Sequence, residues 1–426
     1  MVQQIISTAI GKVVKRATAL RGGGSALPGL VVEKIDPKFL NRTLAQLPLG
    51  AVIISGTNGK TTTTKIVVEL LESSGLKVFT NRTGSNFSRG VIAALLSEVD
   101  MRGRLQSDIA VLELDEAWAA KFVQLVKPRY SLLLNVFRDQ LDRFGEIDKT
   151  AKFLEEIARA TTSTVVFNRD DPRIYRISQQ VTATKTFFGT TTELLRLMPT
   201  DDGLRSGDDQ ANHAVEADVL LNKIADDGTA VFRLGQDDYQ TRLSLSGVYN
   251  ILNAAAALAL VKNILKDSDR VIESSQLIEA LSKIKPAFGR GEVIYLNDAP
   301  IELILVKNPS GFRLALLSFT DHRPTMIAIN DNYADGRDMS WLWDVDFHGL
   351  GKGTVKIVSG IRAYDMALRL RYDDIPTTKI NTDITNSLRY FLKTNPDQPK
   401  RIYCTYTAMI SIRRELAKLT AVEVVR

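Results

Sequence analysis

Cysteine is almost missing from this chain: Cys404 is the only one in 426 residues. That excludes an intrachain disulfide and any zinc site built from several thiolates, and it suits a reducing compartment. Cys404 falls in an apolar stretch that reads as a buried strand, and the three histidines, His213, His322 and His348, are spread widely. A local nucleophile–base pair of the kind a glutaminase needs is therefore not in view. No run approaches the ~18 apolar residues of a membrane span. Lys12, Lys15 and Arg16 interrupt the N-terminus, which excludes a signal peptide. A polybasic block and a basic–aromatic ladder are also lacking, so no nucleic-acid partner is expected.

What is present is ordinary for a globular enzyme. Hydrophobic residues make up 44% and the length suits two or three domains. The net charge of +6, from 55 basic against 49 acidic residues, favours an anionic partner such as a nucleotide, a pyrophosphate or an anionic membrane surface. Ile6, Ile10, Val13, Ala17 and Leu20 recur at helical spacing. The preferred expectation is a helix packed on its own domain, with a helix lying on a membrane surface as the alternative.

The chain is organised around Ala51–Thr64, AVIISGTNGKTTTT. A short apolar strand runs into Gly56-Thr57-Asn58-Gly59-Lys60-Thr61-Thr62, and helical spacing follows. Strand, glycine-rich turn and helix N-terminus make up the context of a phosphate loop. Glycines let backbone N–H groups approach phosphate oxygens, and the helix end adds unpaired donors and a positive partial charge. Lys60 can reach the outer phosphates and the Thr61 hydroxyl can hold Mg2+. Binding of a nucleoside triphosphate is the firmest expectation from the residues alone.

From Gly50 strands and helices alternate to about Asn168, which predicts an α/β fold with a mostly parallel sheet and ligands at its carboxyl edge. Gly56, Glu113, Asn135 and Asn168 all fall on that edge. Residues 190–217 read as an irregular insertion without cysteine, and Tyr249–Leu265 as an alanine-rich helix. The pattern restarts near residue 290. The expected division is a helical arm over 1–45, an ATP-binding domain over 46–290 and a second, Rossmann-like α/β domain over 291–426. Glu113 closes an apolar strand in AVLELDE, where it faces the phosphate loop as a Mg2+ ligand or stands as a solvated strand-end acid.

Taken in order, GTNGKTT at 56–62, the acid-tipped strand, N-x-x-x-D-x-L-D-R-x-G from Asn135 to Gly145, Asn168-Arg169-Asp170-Asp171 and G-x-Y-N-x-x-N from Gly247 to Asn253 resemble the Mur ligase superfamily. Gly289-Arg290 and Lys307-Asn308-Pro309 look like its later motifs. NDNYADGRDMSW at 330–341 and TYTAM at 405–409 resemble, more narrowly, the MurT-type synthetase subunits of lipid II isoglutaminyl synthase. The resemblance implies ATP-dependent amidation of the D-glutamate α-carboxylate of lipid II through an acyl phosphate. It implies that Gly56, Thr57, Asn58, Gly59, Lys60, Thr61 and Thr62 hold the triphosphate, that Thr61 and Glu113 bind Mg2+, that Asn250 and Asn253 lie near adenine, and that Arg290 lies near the transferred phosphate. It also implies a separate GatD-type glutaminase subunit that supplies ammonia, with Asp338 completing that partner's Cys–His pair.

Departures from the superfamily pattern bear on the metals. Gln140 stands where typical Mur ligases have a histidine near a second metal, and Lys152 is out of register with their carbamylated lysine. Relatives of MurT often carry four zinc-binding cysteines in the insertion, and here no zinc is expected. Residues 1–55 look too short for a UDP-binding domain, which fits a lipid-linked acceptor. An amino-acid-adding Mur ligase, a folylpolyglutamate synthase-like ligase and a nucleotide-regulated binding subunit are the rival readings. The expected location is the cytoplasm, with peripheral contact at the inner face of the membrane.

Overall fold

The computed structural model describes residues 2–20, 26–81, 87–138, 147–203, 211–225, 228–244, 247–285, 290–318, 321–351 and 353–422. Three helices come first: α1 (Val2–Leu20), α2 (Leu27–Ile35) and α3 (Phe39–Leu44). β1 (Ala51–Ser55) opens the alternation, followed by α4 (Lys60–Ser73), β2 (Val78–Thr80), α5 (Ser88–Glu98), β3 (Ile109–Glu113), α6 (Glu116–Leu125) and β4 (Tyr130–Leu133). Next come α7 (Ile147–Ala160), β5 (Thr164–Asn168), α8 (Pro172–Ser178), β6 (Thr184–Thr190) and α9 (Thr192–Leu195). β7 (Val219–Ile224), β8 (Thr229–Leu234), β9 (Asp237–Arg242), α10 (Val248–Lys266) and α11 (Ser274–Ser282) complete the first unit.

Among the described residues these strands form one sheet in the order β2-β3-β1-β4-β5-β6-β7-β8-β9. It is parallel from β2 to β7, and β8 and β9 add an antiparallel edge. The chain places β3 on one side of β1 and then β4 on the other. The carboxyl end of β1 is therefore a topological switch point, where a parallel sheet leaves a crevice. Along β1, Val52 and Ile54 face one core and Ala51 and Ile53 the opposite one, the two-residue period of a strand buried on both faces.

α10 lies in the first of these cores with Ala254, Ala255, Ala256 and Ala257 all buried. It is long and apolar enough to cross a membrane by length and composition, contrary to the expectation of no such run, but most of it is enclosed by the protein. Its small side chains let it run close to α4 and to the sheet.

α1 packs on its own unit, as preferred, but with the opposite face to the one its apolar spacing suggests. Gln4, Ser7, Thr8 and Gly11 turn inward, while Ile6, Ile10, Val13 and Leu20 are exposed. Close approach decides this: a Cβ on Gly11 would lie 2.7 Å from side-chain atoms of Val32 and Leu96.

The second sheet is built from β10 (Arg290–Leu296), β11 (Ala299–Leu305), β12 (Thr325–Ala328), β13 (Val355–Ser359), β14 (Lys379–Asn381) and β15 (Lys400–Cys404). Its helices are α12 (Pro309–Ser318), α13 (Ala363–Tyr372), α14 (Ile384–Lys393) and α15 (Tyr406–Leu416), with a 3-10 turn at Ser340–Asp344. The order is β10-β11-β15-β12-β13-β14. All pairs are parallel except the β10–β11 hairpin, whose turn residues Asn297 and Asp298 both have positive φ, at 49° and 64°. Asn and Asp tolerate that conformation, so a two-residue turn forms there. The architecture is thus α/β, with a large mostly parallel sheet and a Rossmann-like second sheet. Cys404 is fully buried in β15, and burial pushes its thiol well above the ordinary range, as suits a structural residue.

Candidate nucleotide site

The loop after β1 sits at the switch point. Gly56 and Gly59 have φ of 135° and 88°, conformations that favour glycine, and Gly59 caps α4. Both also lie against close neighbours. A Cβ on Gly56 would lie 3.0 Å from the Asn135 backbone nitrogen, and one on Gly59 would lie 2.5 Å from Asn253 Oδ1.

The loop is held by the residues that follow β4. Asn58 N–H donates to Asn135 Oδ1 at 2.9 Å, and Asn135 Nδ2 donates back to the Asn58 carbonyl at 3.0 Å. Asn135 Nδ2 also donates to the Tyr249 hydroxyl at 2.5 Å, which joins the loop to α10. Thr57 is almost wholly buried, and its hydroxyl bonds both the Phe137 carbonyl and the Phe137 N–H. Its N–H donates to the Asn135 carbonyl at 3.1 Å, so side chain and backbone together fix the shape of the loop.

Lys60 is 8% exposed. Its ammonium donates to the Gly56 carbonyl at 2.5 Å and the Thr57 carbonyl at 3.3 Å, and it pairs with Glu116 at 3.4 Å. Thr61 Oγ1 donates to Glu113 Oε1 at 2.8 Å. The two expected Mg2+ ligands, 52 residues apart in sequence, are in direct contact. Glu113 is in turn bracketed by Asn81, which bonds both its N–H and its carbonyl, at 3.0 and 2.9 Å.

Asn250 and Asn253 lie one turn apart at the start of α10. Asn253 is buried, and its Nδ2 has no hydrogen-bond partner among the described residues. Beside it a small pocket is lined by Asn168, Asp171, Phe188, Met198, Tyr249 and Leu252, among others. An unpaired buried amide, a loop with room only for glycine and a hydroxyl–carboxylate pair fit a magnesium-bound nucleotide, because hard oxygen donors and backbone N–H groups are what phosphate and Mg2+ take.

The motif Asn168–Asp171 is structural. Asn168 Nδ2 donates to the Leu134 carbonyl, and Asp171 accepts from the N–H groups of Val136, Arg173 and Ile174. Burial pushes the Asp171 carboxyl up from 3.8 to about 6. Asp170 is likewise raised by burial while accepting from the N–H groups of Thr190 and Asn212.

The second sheet reaches this site from the carboxyl end of β11. Lys307 Nζ donates to the Thr57 carbonyl at 3.2 Å, and Asn308 Nδ2 donates to Asn58 Oδ1 at 3.2 Å. On the same edge, two strands along, the loop after β12 carries Asp335 and Asp338. Asp335 is buried and accepts from the Thr407 N–H at 2.7 Å, the Thr407 hydroxyl at 2.5 Å and the Asn332 N–H at 3.1 Å. Asp338 is half-buried and accepts from the Ser340 N–H at 2.9 Å. The two tryptophans of this segment divide: Trp341 is buried against Phe312, while Trp343 is about half exposed beside Tyr372.

Four expectations fall outside the described residues. The charged segment 139–146, with Gln140, is one, and Gly289 is another. The Arg290 side chain and part of the insertion, 204–210, are the others. Sequence reasoning passed over Asn81, over Glu116 as the partner of Lys60, and over Lys307 and Asn308 as neighbours of the phosphate loop. Position after a strand end on the ligand edge was the available signal for Asn81.

Comparison with known proteins identifies the family of the chain. Residues 54–261 match the Mur ligase middle domain, and residues 305–409 match the MurT ligase C-terminal domain. The lipid II isoglutaminyl synthase (glutamine-hydrolyzing) subunit MurT of Streptococcus pneumoniae is 31% identical over 93% of this chain and 93% of its own length. The MurT subunit of Staphylococcus aureus strain COL is 28% identical over 86% of this chain and 87% of its own. Among solved structures, the MurF ligase of Thermotoga maritima in complex with ADP superposes with a TM-score of 0.64 at 17% identity, covering 92% of this chain and 84% of that one. With both chains aligned over nearly their whole length, this protein belongs to the MurT family of Mur ligases.

Proposed function

We propose that this chain is the synthetase subunit that amidates the D-glutamate α-carboxylate of the lipid II stem peptide to D-isoglutamine, with ATP and with ammonia made by a partner glutaminase of the GatD type. The observation that carries the reading is the contact of Thr61 with Glu113 beside Lys60, at the mouth of a glycine loop that the second sheet also touches through Lys307. A triphosphate on the loop would there lie beside the second unit, where an acceptor would meet it. In such a ligase an oxygen of the acceptor carboxylate attacks the terminal phosphorus of ATP and ADP leaves. Ammonia then attacks the acyl carbon, a proton is lost and inorganic phosphate departs.

Gly56–Thr62 would cradle the triphosphate with backbone N–H groups, and Lys60 would offset charge on the transferring phosphoryl group. Thr61 and Glu113 would hold Mg2+, which supplies charge neutralisation between the phosphates. Asn250 and Asn253 would meet adenine, and Arg290 the transferred phosphate. The division into 1–45, 46–290 and 291–426 then assigns the nucleotide to the middle part and the partner to the last.

Support for a partner on the second unit comes from its surface. Tyr364, Leu368 and Tyr372 form an exposed stripe along α13, with Ile361 just before it and Trp343 and Tyr333 also exposed. Aromatic residues of this kind are common interface anchors. Asp338 would project from this unit to orient the partner's imidazole. The protein would work in the cytoplasm at the inner face of the membrane, where ATP and a lipid-borne acceptor meet. Lys60→Ala tests the assignment. A folded variant should lose on the order of 10²–10³ in amidation rate, and near-normal turnover would remove the loop from the mechanism.

A further inference from the structure

The first helix is turned inside out relative to its own amphipathicity. Along α1, Ile6 is 52% exposed, Ile10 40%, Val13 66% and Leu20 89%. These residues share one face of a 3.6-residue period. The opposite face holds Gln4, Ser7, Thr8 and Gly11, all buried. A water-soluble helix with nothing more to contact would show the reverse.

The rotation of α1 is locked by specific contacts. Gln4 Nε2 donates to the Gly103 carbonyl at 2.8 Å and the Ser7 hydroxyl to Asp36 Oδ2 at 2.9 Å. Gly11 allows Val32 and Leu96 to approach within a distance no other residue would tolerate. Lys12 Nζ donates to the Val99 carbonyl at 2.6 Å and Lys15 Nζ to the Ala93 carbonyl at 3.1 Å. Rolling the apolar stripe inward would break all of these and bury cationic side chains.

Charge indicates the occupant. α1 contains Lys12, Lys15 and Arg16 and no acidic residue. Residues 1–45 hold seven lysines and arginines against Glu33 and Asp36, a net of +5 in a chain whose total is +6. The basic residues of α1 flank the apolar stripe on one side, with Arg16 exposed. A fixed apolar stripe with a basic flank is the arrangement of a helix lying in the plane of an anionic lipid surface.

We infer that α1 seats the protein on an anionic bilayer. Ile6, Ile10, Val13 and Leu20 enter the headgroup–acyl boundary, and Arg16 lies among the anionic headgroups. The inference goes beyond the proposed reaction, because binding is to the bilayer itself, with or without an acceptor. For the reaction it has one consequence: a lipid-borne substrate would be met by diffusion in two dimensions.

The test is co-sedimentation of the full chain with vesicles of phosphatidylcholine alone and of phosphatidylcholine with phosphatidylglycerol, lacking any peptidoglycan precursor. The chain should sediment with the anionic vesicles and be released by salt. The double variant Ile6→Glu/Ile10→Glu should lose on the order of tenfold in partitioning, with its melting transition unchanged. Arg16→Glu, a milder exposed change, should lose part of the binding and serves if the double variant does not fold. Amidation of a detergent-dispersed acceptor should be unaffected in both variants. The inference is overturned if neither vesicle binds, if wild type and variants sediment alike, or if dispersed-acceptor activity falls with the variants. It is also overturned if ultracentrifugation shows that the stripe closes a dimer or holds the glutaminase instead. A wild-type chain that binds anionic vesicles yet never amidates would refute the ligase reading and leave this one standing.

Discussion

Gly59→Ala is the sharpest perturbation of the phosphate loop. Gly59 has φ of 88°, and an L residue held in the left-handed region costs roughly 1–2 kcal/mol. The new Cβ would also lie 2.5 Å from Asn253 Oδ1 and 3.0 Å from its Cγ and Nδ2. Asn253 is 3% exposed, so its side chain can yield only into the small pocket that it lines. Overpacking of this kind adds roughly 1–3 kcal/mol unless the backbone moves. The backbone that can move is the loop that, in the proposed function, would cradle the triphosphate. The strain is thus relieved at the expense of the nucleotide, and a loss of 1.4 kcal/mol is about tenfold in affinity. Calorimetric titration with ATP should show at least roughly a tenfold rise in Kd. Gly228→Ala is the control: its φ is 82°, but no heavy atom lies within 4 Å of the added Cβ. It should lower stability by roughly 1 kcal/mol and leave ATP binding alone. Wild-type affinity in a folded Gly59→Ala protein would refute the loop and Asn253 as a shared nucleotide site.

Other predictions address single groups. Glu113→Gln should raise the Mg2+ concentration needed for half-maximal rate, and an unchanged Mg2+ dependence would return Glu113 to a solvated strand end. Asp338→Asn should keep the complex and ammonia-driven amidation while strongly impairing glutamine-driven amidation; equal loss with both nitrogen sources would place Asp338 in the synthetase or the fold. Asp335 is different, because it ties its loop to Thr407. Asp335→Ala should lower the melting temperature and weaken both activities, at roughly 1–3 kcal/mol for a buried pair left unmatched. Asp171 sets a pH dependence. Its carboxyl rises from 3.8 to about 6 in the fold, so its contribution to stability is full below the lower value and is lost as pH rises through the upper one. The melting temperature of wild type minus that of Asp171→Asn should fall across this window, and a flat difference would show that Asp171 stays ionised.

What the sequence made legible was local. The phosphate loop, its strand and its helix are contiguous, so residue order alone fixes their mutual placement, and Lys60 and Thr61 could be named at once. Glu113 could be named because a parallel sheet brings strand ends together. Contacts across 250 residues had no such guide: nothing in the spacing of Lys307 and Asn308 says that they bond to Thr57 and Asn58. α1 shows a second limit. Periodicity locates an apolar face but not its direction, and here glycine, serine and threonine pack inward because backbones can approach closely there. Trp341 and Trp343 show a third. They sit two apart in a 3-10 turn, so one enters the core and the other does not.

The central claim is carbon–nitrogen ligation driven by ATP in this chain. It is tested most directly by mass spectrometry of lipid II after incubation with the purified chain, ATP, Mg2+ and isotope-labelled ammonium, without any partner. The predicted result is one labelled amide on the D-glutamate α-carboxylate, with one ADP formed per amide. Addition of a whole amino acid, or ADP release with unmodified lipid II, would contradict it.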